Sequence, residues 1–202
     1  VGRGIHGRGA LVQTSLLEAT LDFQFEVLST HLNDGNRLPK RSGVNGAHAY
    51  LGAPYGVYET ADGFLALAMT PSLRVLADLL GTDRLTDYFD DPNVMITKRD
   101  EIKTILAQTL KTGTTHNWLA VLQPADIWCS EVLSWSQMRA SEAYKLLDFE
   151  QTILRNGTVR LETLRSPIRL DGATLKSQVA APELGQHTES VLSPLRPQPA
   201  AQ

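Results

Sequence analysis

Residues 52–63 read GAPYGVYETADG, and they indicate the local fold more clearly than any other part of the chain. The segments on either side of the turn, Gly56–Glu59 and residues 64–69, have the composition of β-strands, and an Asp-Gly pair lies between them. Asp and Gly suit a tight hairpin turn because both tolerate left-handed backbone conformations. The sequence therefore predicts a β-hairpin here.

Segments with helical periodicity precede and follow this hairpin in the sequence. Apolar residues recur at the spacing of one helix face, and the helices so predicted cover residues 11–27, 72–80 and 98–110, with a fourth capped by Thr115. Ser15 or Thr14 can cap the first helix, and Gly81 ends the second. The hairpin and these helices together predict a small α/β domain.

A second hairpin is predicted nearer the C-terminus. Residues 149–154 and 158–164 flank Asn156-Gly157, a pair typical of hairpin turns. Residues 127–133 are predicted to be extended and residues 135–146 helical. Residues 193–202 contain three prolines and are predicted to form a frayed tail.

The composition excludes several classes of protein. The 19 basic and 22 acidic residues give a net charge of -3, so there is no basic surface of the kind that binds nucleic acid. No apolar run reaches the length of a membrane helix, and residues 1–4 do not resemble a signal peptide. A single cysteine, Cys129, excludes an internal disulfide and suits a reducing compartment, which predicts a cytoplasmic location.

The start of the chain and its first linker bear on domain organisation. The sequence begins at Val1 without Met, in a segment rich in Gly and Arg, so we expect either that an upstream segment was removed or that these residues are part of a longer polypeptide. Residues 33–46 are polar and interrupted by glycine and proline, as in linkers, and we place a domain boundary near residue 40.

The loop that precedes the first hairpin is the main candidate site. Residues 49–55 read AYLGAPY, and small residues of this kind allow a backbone to approach a ligand while exposed amides stabilise a carbonyl oxygen or carboxylate. From the residues alone, a tight turn that enters a strand is the favoured interpretation. His48 lies beside the loop, and a solvated loop histidine is the favoured interpretation for it.

Other candidates are weaker. The five histidines are scattered and stand at no metal-ligand spacing, so no metal is predicted. The basic residues Arg3, Arg8, Arg37, Lys40 and Arg41 could contact phosphates, although solvated charges on turns are the favoured interpretation. The three tryptophans are predicted to anchor the core; they are Trp118, Trp128 and Trp135.

Several segments, in this order, resemble the C-terminal half of the family III CoA-transferases, the CaiB/BaiF group. The matching positions are residues 2–4, 12–19 and 52–63, Arg99, Ala125-Asp126-Ile127, residues 166–172 and residues 184–188. One departure is visible: Trp128 stands where the family commonly has Pro after the isoleucine. His187 lies in the last of these motifs, where we predict a capping role.

The resemblance implies a fold class and a domain organisation. It implies an α/β fold, namely the small α/β domain of a CaiB/BaiF-type enzyme with flanking elements of its large Rossmann-like domain. Residues 1–40 would then end the large domain and form the linker, and residues 41–150 would form the small domain. Residues 151–192 would return to the large domain, ahead of the tail at 193–202.

The resemblance also implies an activity. Family members transfer coenzyme A between carboxylic acids through a nucleophilic Asp, which would lie upstream of these residues, so no catalytic residue is predicted in this chain and the isolated chain is predicted to be inactive. Acyl-CoA and a carboxylic acid would be substrates, and no cofactor would be bound permanently. The substrate and CoA-binding residues implied are His48, Ala49, Tyr50, Leu51, Gly52, Ala53 and Tyr55. The N-terminal half of the enzyme and a second copy in an interlocked homodimer would be partners.

Two alternatives remain open at this point. Racemases of the same family carry a Glu in a segment that aligns with residues 67–71, where this chain has Thr70 before Pro71. Alternatively, these residues form a non-catalytic structural or interaction fragment. The sequence does not identify the acid that donates or accepts CoA.

Overall fold

A computed structural model describes residues 2–35, 37–46, 48–70, 72–89, 91 and 93–195, with the side chains of Gly2 and Arg3 left out. The chain divides into two compact units between Leu133 and Ser134. The division into residues 1–40, 41–150 and 151–192 stays a prediction.

Three helices open the first unit: α1 (Gly2–His6), α2 (Leu16–Phe23) and α3 (Phe25–Asn33). Ser15 caps α2, because its hydroxyl accepts a hydrogen bond from the Glu18 amide at 3.2 Å and donates one to the Glu18 carboxylate at 2.6 Å. The single helix predicted over residues 11–27 is wrong at both ends. Residues 8–15 form neither helix nor strand, and Gln24 separates α2 from α3.

The predicted first hairpin is confirmed. Strand β1 (Gly56–Glu59) pairs antiparallel with β2 (Phe64–Leu67), and Glu59 lies opposite Phe64 across the turn. Strand β3 (Cys129–Glu131), from the segment predicted to be extended, pairs with the other edge of β2. The result is a three-stranded antiparallel sheet with the order β1-β2-β3.

Four helices follow the hairpin: α4 (Leu73–Leu80), α5 (Val94–Thr97), α6 (Arg99–Leu110) and α7 (Thr115–Leu122). Gly81 ends α4 with a φ of 64°, as its sequence position predicts. The cap of α7 is Thr114 and not Thr115, since the Thr114 hydroxyl accepts from the Asn117 amide. Short 3₁₀ turns cover Thr86–Tyr88 and Gln123–Ala125.

The core of the first unit lies between the sheet and these helices. Its fully buried apolar residues come from β1 and β2 (Tyr58, Leu65), from α4 and α6 (Leu76, Ile102, Leu106, Leu110) and from α7 (Leu122). Trp118 packs against this core, and its indole donates to the Leu110 carbonyl at 2.8 Å. The prediction for Trp128 and Trp135 is wrong, because both side chains are exposed.

The second unit begins with α8 (Trp135–Ala140) and α9 (Glu142–Leu147). The single helix predicted over residues 135–146 is interrupted at Ser141, whose extended backbone ends α8 and whose hydroxyl caps α9. Arg165 is buried and donates to the carbonyls of Leu147 and Asp148 at the end of α9.

The predicted second hairpin is confirmed. Strands β4 (Glu150–Arg155) and β5 (Val159–Leu164) are antiparallel, and both Asn156 and Gly157 have positive φ. The short strands β6 (Arg169–Leu170) and β7 (Ala173–Thr174) form a further pair. Helix α10 (Thr188–Leu192) follows His187, and the capping role predicted for the His187 side chain is wrong, because this N-cap residue makes no side-chain capping bond. Of the predicted tail, Ser193–Leu195 form a 3₁₀ turn and residues 196–202 lie outside the described residues.

Candidate functional site

The predicted site loop lies between the first linker and β1, and its backbone is tied to a helix distant in sequence. The Ala53 amide donates to the Met95 carbonyl in α5 at 2.7 Å, and the Tyr55 amide donates back to the Gly52 carbonyl at 3.2 Å. The peptide bond between Ala53 and Pro54 is cis. The loop is therefore a tight turn packed against α5, as the residue types alone favoured.

Gly52 has a packing role in this turn. A Cβ built on Gly52 would lie 2.5 Å from the Met95 carbonyl oxygen and 2.9 Å from its carbon. Such distances are too short for any side chain, so Gly52 allows the turn to approach the backbone of α5 closely. The direction in which a side chain would point is thus occupied by protein.

Arg99, the first residue of α6, holds the loop from the other side. Its Nη1 donates to the carbonyl oxygens of Ala49 at 2.9 Å and Leu51 at 3.3 Å, and its Nη2 donates to that of Lys40 at 2.8 Å. The Arg99 side chain is only 13% exposed. One guanidinium therefore joins the linker and the loop to the start of α6.

Asp100, the next residue, holds the linker as well. Its carboxylate accepts from the Ser42 hydroxyl at 2.6 Å and from the Gly43 amide at 3.1 Å. The bond from Ser42, followed by the bond from Gly43, lowers the pKa of Asp100 because both favour the ionised carboxylate. Sequence analysis missed this residue, since an Asp in the first turn of a helix ordinarily serves the helix itself.

Tyr50 and His48 connect the loop to α3. The Tyr50 hydroxyl donates to Asp34 at 3.0 Å, and burial, with this hydrogen bond as the second cause, raises the pKa of Tyr50. The Tyr50 amide donates to Nδ1 of His48 at 3.2 Å. His48 is half-buried, and its Nε2 lies 3.8 Å from a Glu26 carboxylate oxygen, so the expectation of a solvated histidine is wrong.

Two open clefts border the loop and share Gly46 and Tyr55. The first has a volume of about 480 Å³ and lies where β1 and β3 begin and β2 ends; its lining is mostly apolar and includes Val57, Ala66, Leu67, Ala68, Trp128 and Cys129. The second, also about 480 Å³, is lined by Val27, Pro39, Arg41, His48 and Ala49. Trp128, the departure from the family pattern, thus forms a wall of the first cleft.

The site residues predicted from sequence fall into two groups by position. His48, Ala49 and Tyr55 border the clefts, while Gly52 and Ala53 contact α5. The Leu51 carbonyl faces Arg99. Among the basic candidates, Arg41 lines the second cleft and Lys40 contributes a carbonyl, whereas Arg8 and Arg37 are exposed and the Arg3 side chain lies outside the described part.

Among the residues that the structure describes, no group of three or more His, Cys, Asp or Glu side chains could hold a metal ion. None of the helices described above is long and apolar enough to cross a membrane.

Comparison with known proteins identifies the family. The model of "CoA-transferase family III" matches residues 1–188, and the chain belongs to this family. No curated protein gives a significant match.

Solved structures share the fold. The protein Rv3272 from Mycobacterium tuberculosis, in its orthorhombic form, is 20% identical with a TM-score of 0.69, covering 94% of this chain and 49% of that one. A mutant of the same protein is 19% identical with a TM-score of 0.69, covering 92% and 48%. A CaiB/BaiF family protein from Brucella suis is 22% identical with a TM-score of 0.64, covering 96% and 50%. The chain spans about half the length of these structures.

Proposed function

We propose that this chain forms part of an enzyme that transfers coenzyme A from an acyl-CoA to a carboxylic acid. The observation that carries the proposal is the family match over residues 1–188. The loop geometry supports it, because a small-residue turn held by Arg99 and α5 borders two clefts that a thioester and an acid could enter.

The proposed reaction proceeds by covalent catalysis. A carboxylate attacks the thioester carbonyl, which forms an enzyme-acyl mixed anhydride and releases the CoA thiolate. The thiolate then attacks the enzyme carbonyl of the anhydride, which frees the first acid and leaves CoA on the enzyme as a thioester. The second acid attacks this thioester, which releases the CoA thiolate again and forms a second mixed anhydride. The thiolate then attacks the acyl carbonyl of that anhydride, which gives the new acyl-CoA and regenerates the enzyme carboxylate.

The nucleophile is proposed to lie outside these 202 residues. Two carboxylates that contact the loop already have structural partners there: Asp34 accepts from Tyr50, and Glu26 faces His48. The chain also spans only about half of its structural relatives. We therefore propose that an N-terminal half supplies the Asp, that the assembly is an interlocked homodimer, and that it acts in the cytoplasm in acyl-CoA metabolism.

No observation favours the racemase alternative. Proton exchange next to a thioester carbonyl needs a group that titrates near neutral pH. At the position where the family's racemases carry Glu, the Thr70 side chain is buried and its hydroxyl donates to the Ser72 carbonyl at 3.3 Å. Pro71, which anchors that alignment, lies outside the described residues.

Mass spectrometry of the protein purified from its natural source tests the proposal first. We expect an N-terminal polypeptide, either fused to this chain or co-purifying with it, together with bound CoA. The assembly is then incubated with acyl-CoA and an isotopically labelled acid. We expect label in the CoA thioester and, after borohydride reduction, an Asp converted to its alcohol. If the assembly exchanges no label with any acid tested, or if the 202-residue chain is found alone without CoA, the transferase proposal for this protein fails.

A further inference from the structure

Arg99 makes an unusual set of contacts for the first residue of a helix. Its guanidinium donates hydrogen bonds to three carbonyl oxygens from two chain segments. One segment contains Lys40, and the other contains Ala49 and Leu51. These segments lie 48 to 59 positions away in sequence. The contacts therefore do not serve the helix to which Arg99 belongs.

The chemistry of the guanidinium explains why arginine suits this position. Its N–H groups form a planar fork with fixed directions, and the group stays charged at all pH values of interest. Hydrogen bonds from a charged donor contribute more than neutral ones, and the low exposure of Arg99 limits competition from water. A lysine ammonium at the end of a flexible chain cannot reproduce two separate donor atoms held in one plane.

The carbonyls that Arg99 binds flank the residues assigned to the site. Ala49 lies beside His48 and borders the second cleft, and Leu51 precedes Gly52. The attachment of Ala53 to Met95 fixes the other end of the turn. Only Gly52 separates the anchored Leu51 carbonyl from the anchored Ala53 amide, and Tyr55, which lines both clefts, follows two residues later.

We infer that Arg99 is a positioning residue of the transfer reaction. It fixes the position of the loop at residues 48–55 relative to the two clefts, without touching the substrate. This inference rests on the proposed function. Loss of the fork would let the loop shift, and misplacement of about 1 Å at a reacting centre is enough to lower turnover by roughly a hundredfold.

The first experiment measures amide hydrogen exchange in the 202-residue chain, in wild type, Arg99→Gln and Arg99→Lys. Exposed Arg84, in the loop after α4, provides the matched control Arg84→Gln. We expect the amides of residues 48–55 to exchange about tenfold faster or more in both Arg99 variants, with the β1 and β2 amides unchanged. Unchanged exchange in the loop contradicts the inference. Faster exchange throughout the first unit also overturns it, because Arg99 would then stabilise the fold in general.

The second experiment measures transfer by the complete assembly. We expect kcat to fall about 10- to 100-fold in Arg99→Gln and Arg99→Lys, with a smaller change in KM for acyl-CoA and no change in Arg84→Gln. In Arg99→Ala, millimolar guanidinium should restore part of kcat while ammonium does not, a readout that a purely structural role would not give. Full activity in Arg99→Lys, or no rescue, refutes the positioning role. A wild-type assembly that transfers no CoA refutes the proposed function itself, whatever the exchange rates are.

Discussion

At the scale of single residues, Lys103 is a charged side chain that is buried in an apolar core. It lies in the middle of α6 with no exposed surface, and its Nζ has no hydrogen-bond partner among the described residues. Burial lowers the pKa of Lys103, the Arg99 charge lowers it further, and the Asp100 charge partly opposes them. The folded chain therefore buries an ammonium group without a hydrogen-bond partner, which lowers the free energy of unfolding.

Replacing this side chain by an apolar one of similar length should stabilise the protein. At pH 7 we expect Lys103→Met to raise the free energy of unfolding by about 1–3 kcal/mol, the usual cost of an unsatisfied buried donor. Because the folded pKa lies below the unfolded one, the unfolded state binds more protons between the two values, and wild-type stability rises with pH there. The advantage of the variant should thus shrink towards pH 10. Urea unfolding measures the difference in the free energy of unfolding between variant and wild type, with the exposed Lys111→Met as control. A Lys103→Met protein that is less stable than wild type contradicts this expectation.

Gly52 gives a second prediction for a single residue. Gly52→Ala should lower the free energy of unfolding by about 1–3 kcal/mol, because its Cβ would collide with the Met95 backbone and neither backbone can move freely. Gly9→Ala provides the control, since a Cβ there meets nothing within 4 Å. Thermal unfolding compares the two. The larger Gly52→Val should also lower turnover of the complete enzyme, and unchanged kinetics would remove this loop from the site.

At the scale of elements, the first hairpin is joined to α7 through its turn. Asp62 accepts from the Thr115 amide at 2.8 Å and from the Thr115 hydroxyl at 3.0 Å, and the Thr60 and Thr115 hydroxyls lie 2.6 Å apart. The bond from the Thr115 amide is the main cause that lowers the pKa of Asp62, and burial partly opposes it. The turn residue thus completes the N-terminus of a helix more than fifty residues later.

The pH dependence of stability tests this junction. Since the folded pKa of Asp62 is depressed, its stabilising contribution is present above the ordinary aspartate pKa of about 3.9 and is lost as pH falls through the folded pKa. We expect Asp62→Ala to unfold at lower temperature than wild type at pH 7, with the difference narrowing below pH 4. Asp62→Asn keeps a hydrogen-bond acceptor, so its unfolding temperature should fall less than that of Asp62→Ala. Asp78→Ala, at an exposed position on α4, is the control; equal effects of the Asp78 and Asp62 variants would count against the junction.

At the scale of the whole molecule, the N-terminal helices leave a large apolar surface uncovered. None of the side chains of α2 is buried, and Leu16 and Phe23 are 89% and 93% exposed. Leu11, Val12, Leu17 and Phe25 are exposed as well. Apolar side chains between residues 11 and 25 are thus exposed to solvent, and such surfaces usually mark a place where another polypeptide packs.

The isolated chain should therefore bind a hydrophobic dye and associate at micromolar concentration. We expect the double variant Leu16→Ser, Phe23→Ser to reduce dye fluorescence and association because it removes the two most exposed apolar side chains of α2. Leu184→Ser, which alters an equally exposed side chain in the second unit, should change both less. Light scattering and dye titration measure the two effects. A monodisperse wild-type monomer that binds no dye is the contrary result.

Local chemistry was enough to predict the hairpins and some helix ends. Ser15 begins a helix, Gly81 ends one, and Asn156-Gly157 forms a turn with positive φ at both residues, because each depends on the capping or backbone preference of one or two residues. Asp62-Gly63 also lies at a turn, but neither residue has a positive φ; Asp62 instead accepts hydrogen bonds from Thr115. The order of short motifs likewise indicated the family that the match over residues 1–188 shows. The breaks at Gln24 and Ser141 escaped prediction, since apolar periodicity continues through both positions.

The environment of a side chain depends on contacts that are distant in sequence, and these appeared only once the chain was folded. Trp128 reads as a core residue by its size, yet the sheet leaves it on the wall of a cleft. Gly52 reads as room for a ligand, yet Met95 fills that space. The sequence indicated Arg99 only as a position that matches the family. Its role as an anchor follows from hydrogen bonds to carbonyl groups about fifty positions away. Residue types and their spacing therefore gave the elements and the family, whereas packing between distant segments set the geometry of the site.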